Sequence, residues 1–156
     1  MSESHTCISR RQFCAGACHA ASGATLVTLF SACGGSPTSP SDPAAMLGVV
    51  SGQFSASRVQ VPIAGSALAD TNGAVLVEST AGVFLLARTG ATTFTAVEAI
   101  CTHEGCTING ADGATYVCPC HGSRYDRNGR VIQGPARASL RQYATTFADG
   151  VVTIAL

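Results

Sequence analysis

Two short segments of this chain each place a cysteine within three positions of a histidine. They are Cys101-Thr102-His103-Glu104-Gly105-Cys106 and, beginning fifteen positions after His103, Cys118-Pro119-Cys120-His121-Gly122-Ser123. Packing alone gains nothing from such a pairing, because thiols and imidazoles repeated at matched places are donors waiting for a common acceptor. The fold must therefore hold two loops side by side, and a rigid scaffold presenting loops at one end is the natural way to do so.

Four donors of two kinds suit a 2Fe-2S cluster. Cys101 and Cys118 would bind one iron as thiolates, and His103 and His121 would bind the other through ring nitrogens, so that each loop serves both irons. Exchanging two thiolates for neutral imidazoles removes negative charge and raises the reduction potential. Gly105 and Gly122 would let the backbone approach closely. Structural zinc could take the same four donors, but zinc modules usually pair Cys-x2-Cys with His-x3-His, and zinc leaves Cys106 and Cys120 without a role. A disulfide framework accounts for the cysteines and not for the histidines. A thiol-disulfide exchange site at Cys118-Pro119-Cys120 has one intervening residue where a thioredoxin-like site has two.

The pattern resembles the Rieske family across roughly residues 93–154. In the high-potential branch of that family two further cysteines form a disulfide over the cluster, and Cys106 and Cys120 stand at the matching positions. Ser123 and Tyr125 are two apart, so an extended segment would carry both hydroxyls on one side. The resemblance gives them the role of hydrogen-bond donors to cluster sulfur, which would favour the reduced form. Gly134-Pro135-Ala136 is similar to the proline-bearing loop that covers the cluster in this family.

The eight cysteines divide into two groups, with Cys7, Cys14, Cys18 and Cys33 ahead of the domain and the other four in the two boxes. Residues 1–33 read as a leader: Ser9-Arg10-Arg11-Gln12-Phe13 before an apolar stretch resembles a twin-arginine signal, a route that exports folded, cofactor-loaded proteins. Leu29-Phe30-Ser31-Ala32-Cys33-Gly34 resembles a lipoprotein processing box, which makes Cys33 the expected lipid attachment site. Residues 34–46 read as a flexible Gly/Ser/Pro linker and residues 47–156 as one domain. His5 and His19 receive no role. The expected location is exported, on the periplasmic side of a membrane, with a lipid anchor. A disulfide suits that compartment.

Short apolar and period-two runs at residues 58–63, 74–78, 83–88, 93–100, 115–117, 142–147 and 151–156 predict strands. Turn signals separate them, among them Asn72-Gly73, Asn128-Gly129 and Asp149-Gly150. The expected fold is all-β, a small antiparallel sandwich or barrel with an inserted cluster-binding subdomain, as the resemblance also implies. Residues 93–100 would deliver the first box and residues 115–117 the second.

The nine basic residues are all arginine and equal the nine acidic ones in number, so no basic surface speaks for nucleic acid. The resemblance implies a one-electron carrier rather than an enzyme acting alone, with electrons crossing at the imidazoles and a redox protein as partner. Two settings are open. One is an exported oxidoreductase subunit similar to the small subunit of arsenite oxidase. The other is the quinol-oxidising subunit of a cytochrome bc or b6f type complex, where leucine usually stands at the position of Glu104 and a second proline at that of Arg137. The first setting is the main expectation and the second the alternative.

Overall fold

The computed structural model describes residues 44–156. The twin-arginine segment, Cys33, His5, His19 and most of the linker lie outside them. The described chain begins with β1 (Ala45–Met46), β2 (Gly48–Ser51), β3 (Gln53–Ser55) and β4 (Arg58–Pro62), followed by a 3-10 turn at Ala67–Ala69. A meander of β5 (Ala74–Ser79), β6 (Gly82–Arg88) and β7 (Phe94–Glu98) comes next. The two boxes lie among β8 (Gly110–Asp112), β9 (Thr115–Val117), β10 (Arg124–Tyr125) and β11 (Val131–Gln133). β12 (Gln142–Tyr143), β13 (Thr145–Ala148) and β14 (Val151–Ala155) close the chain.

These strands make three sheets, in the orders β1-β8-β9-β10-β11, β12-β7-β6-β5-β2 and β13-β14-β4-β3. The second sheet is the middle of the molecule, and its sequence says why. β5 reads Ala-Val-Leu-Val without a polar break, and β6 reads Phe-Leu-Leu-Ala. Alternate side chains point to opposite faces, so a continuous apolar run marks a strand buried on both. Ala74, Leu76, Leu85 and Ala87 enter a core shared with Cys101, Cys118, Tyr116 and Tyr125. Val75, Val77, Phe84 and Leu86 enter a second core with Val59, Val61, Val152 and Ile154 of the third sheet. Truncating a fully buried member such as Leu85 to alanine would cost roughly 2–5 kcal/mol.

The all-β expectation holds, with one departure from antiparallel pairing: β2 runs parallel to β5, with Val49 opposite Leu76. A second departure is at residues 142–147, read as one strand. The chain leaves the middle sheet after Tyr143 and joins the third at Thr145. The ordered domain also begins before residue 47, since Ala45 and Met46 pair with Ala111 and Gly110. The turn at Asp149-Gly150 has positive φ at both residues, the geometry that a tight two-residue hairpin between twisted strands requires.

Candidate metal centre

β7 delivers the first box and β9 the second, as expected. The two boxes close on themselves in the same way. In the first, the Cys101 N–H donates to the Cys106 carbonyl at 2.8 Å and the Gly105 N–H donates to the Cys101 carbonyl at 2.9 Å. In the second, the Cys118 N–H donates to the Ser123 carbonyl at 2.9 Å and the Gly122 N–H to the Cys118 carbonyl at 3.0 Å. Both boxes are therefore six-residue loops of one design, although the histidine sits two positions after its cysteine in one and three in the other. Gly105 and Gly122 have φ of 75° and 71°, and a Cβ on either would meet nothing within 4 Å. Their role is the left-handed backbone that closes each loop, not the close approach expected from the sequence.

Cys106 and Cys120 form the disulfide that the resemblance implied, with 6.5 Å between their Cα atoms. It joins one loop to the other. Cys101 and Cys118 are free thiols, each 2% exposed, at the top of the first core. The imidazoles lie farther out, with ring centroids 4.9 Å apart and planes at 85°. His121 has a side chain 47% exposed. The structure thus gathers all four expected donors, thiols inward and imidazoles outward.

The donor set fits a mixed-ligand cluster. His103 Nδ1 is buried and has no hydrogen-bond partner in the protein, the state of a nitrogen whose lone pair is reserved for something else. Burial pushes the Cys101 thiol up, yet the Tyr125 hydroxyl, the His103 backbone N–H and nearby side chains outweigh it and bring it below the ordinary thiol value. The Cys118 thiol is pushed up by burial and by its closeness to Cys101. Two thiols this close resist ionising together, and a cation between them removes that conflict.

Ser123 and Tyr125 are both fully buried. The Tyr125 hydroxyl lies 3.3 Å from Cys101 Sγ, within hydrogen-bond range of sulfur, and 3.1 Å from Thr102 Oγ1. Burial first, and then its bond with Cys101, pushes the Tyr125 phenol up. It therefore remains a neutral O–H donor. The Ser123 hydroxyl oxygen accepts the Ala136 N–H at 3.0 Å, so its proton is free to point elsewhere. Arg124, between them, faces away and pairs with Asp112 at 2.8 Å.

Three contacts could not be read from sequence. Thr102 Oγ1 donates to the Ala138 carbonyl at 2.6 Å, tying the covering loop to the first box as Ala136 ties it to the second. Glu104 reaches across to His121 rather than acting on its neighbour His103, with Oε2 3.6 Å from His121 Nδ1, longer than a hydrogen bond. Arg137 lines a hollow of about 410 Å³ beside Thr102, His103 and Pro135.

The family model described as Rieske [2Fe-2S] domain matches residues 60–144. A cytochrome b6-f complex iron-sulfur subunit from Chlorobaculum tepidum is 41% identical over 63 residues, which are 40% of this chain and 35% of that one. One from Prochlorococcus marinus is 58% identical over 45 residues, 28% of this chain and 25% of that one. The matched stretch thus spans about a third or less of these relatives' length. Among solved structures, the cyanobacterial plasma membrane Rieske protein PetC3 from Synechocystis is 28% identical, with a TM-score of 0.48 over 53% of this chain and 86% of that one. With its family model covering more than half of its length, the chain belongs to the Rieske [2Fe-2S] domain family and binds one 2Fe-2S cluster.

Proposed function

We propose that Cys101 and Cys118 hold one iron and His103 and His121 the other, and that the chain works as the iron-sulfur subunit of a cytochrome b6-f type complex. The observation that carries the electron-transfer reading is the difference in burial: the two thiols are 2% exposed, whereas the His121 side chain is 47% exposed. Bound, the cluster would take up and give back one electron at a time. The imidazole edge is the short path to a partner, and the disulfide and covering loop keep water from the sulfurs.

The names of the relatives support quinol as electron donor, and they support it better than the arsenite oxidase-like setting. One observation favours the arsenite oxidase-like setting. Glu104, 60% exposed, and Arg137, also exposed, bring charge to the edge where quinol would enter, and burying a charge without a partner is costly. Export through the twin-arginine route and a lipid on Cys33 complete the proposal. They rest on the sequence of residues 1–33.

The test is a redox titration of the purified chain followed by electron paramagnetic resonance. A mixed-ligand 2Fe-2S signal that appears with ascorbate supports the reading, and the rate at which quinol re-reduces the oxidised cluster in membranes then separates the two settings. A colourless, metal-loaded protein with no signal would hand the four donors to zinc. Mass analysis of the N-terminal fragment from membranes tests the lipid on Cys33.

A further inference from the structure

The imidazole edge is flanked by two opposite charges. Glu104 stands on the His121 side, 60% exposed and 3.6 Å from Nδ1. Arg137 stands on the His103 side, exposed at the rim of the hollow formed with Thr102, Pro135 and Ala138. Among the described residues no carboxylate lies within 4.0 Å of Arg137, whereas Arg124 is paired with Asp112 at 2.8 Å. Thr102, His103 and Arg137 bring polar groups to the hollow beside Pro135, Ala136 and Ala138. An uncharged partner would have to strip water from both charges with nothing returned. A partner with the opposite pair of charges recovers that cost and is held in one orientation.

We propose that this face docks a redox protein whose contact surface sets a basic group against Glu104 and an acidic group against Arg137, the two contacts fixing the register of electron transfer. The inference rests on the electron-carrier reading and names the kind of partner. One electron leaves the reduced protein across the imidazole edge and reduces the partner's one-electron acceptor, and no proton or group need move with it.

The experiment uses the full chain, reduced with ascorbate, and two acceptors of opposite charge: a basic cytochrome c and ferricyanide. Glu104→Gln should slow reduction of cytochrome c by about threefold to tenfold at low salt and speed reduction of ferricyanide, with Arg137→Gln doing the reverse. Both effects should fade at high salt, and Arg58→Gln in the third sheet should change neither rate. Opposite responses cannot come from a changed midpoint potential, which moves both rates in one direction. Rates that shift together, or that stay within twofold for both acceptors, overturn the proposal. Loss of the cluster signal in the unaltered chain would instead overturn the electron-carrier reading beneath it.

Discussion

Ser123 Oγ accepts the backbone N–H of Ala136 at 3.0 Å in a fully buried position, joining the second box to the covering loop. The serine thus supports the loop and still has its own proton free to donate. Ser123→Ala should remove both functions. A buried N–H left without a partner costs about 1–3 kcal/mol. The melting temperature should therefore fall, and the midpoint potential should drop by about 40–80 mV, the one-electron equivalent of roughly 1–2 kcal/mol lost from the reduced form. Unchanged potential in a folded, cluster-bearing variant would show that the hydroxyl serves the loop alone.

Tyr125→Phe separates the two roles, because its hydroxyl reaches Cys101 Sγ and Thr102 rather than the covering loop directly. The potential should fall by a similar amount, about 40–80 mV, while the melting temperature changes less than in Ser123→Ala. Combined with Ser123→Ala the two potential shifts should nearly add if the hydroxyls act on different sulfurs. A strongly non-additive result would mean one shared network.

Replacing Cys106 and Cys120 together by serine opens a loop with a sequence separation of 14. The chain-entropy model assigns such closure about 3 kcal/mol. The double variant should fold, since Cys106 packs only at the margin of the first core and Cys120 is exposed, but should lose iron faster during dilution or dialysis. The absorbance of the cluster over time measures it, and a half-life equal to that of the unaltered protein would show that the hydrogen-bonded loops suffice.

Gly105→Ala and Gly122→Ala meet open space, so only the backbone objects. An alanine held at φ near 75° costs roughly 1–2 kcal/mol. Each variant should carry less iron per chain and melt a few degrees lower, by the strain alone. Equal iron content would show that the loops tolerate a different closure.

Tyr116 is fully buried and its hydroxyl has no protein partner, while the Arg127 guanidinium lies 4.5 Å above its ring. Tyr116→Phe keeps the ring and removes the orphaned polar atom. Thermal melts should show no loss of stability and a gain of up to about 1 kcal/mol. A clear loss would mean that the hydroxyl is bonded in solution.

The middle sheet and the meeting of the two Cys/His boxes were legible in the sequence for different reasons. The runs at Ala74–Ser79 and Gly82–Arg88 are apolar enough to name their strands. The boxes are legible because their spacing serves chemistry before it serves packing. β10 and β11 are two and three residues long, too short for any period to show. β2 joins the edge of its sheet with mostly exposed side chains, so no buried face announces its parallel register. The switch of sheets at Ala144 breaks no apolar pattern, and the run containing it therefore reads as one strand. In the site, Thr102 and Ala136 act through partners 36 and 13 positions away, and such contacts exist only after folding.

The doubly buried middle sheet divides the molecule into two neighbouring rooms with a shared wall. Leu76 and Val77 are consecutive residues, yet one faces the chamber that holds Cys101 and Cys118 and the other the chamber closed by the third sheet. Substitutions along this wall should therefore alternate in their consequences: every second residue disturbs the redox centre as well as the fold, and those between disturb the fold alone. A single strand thus keeps two separate accounts of what evolution can change in it.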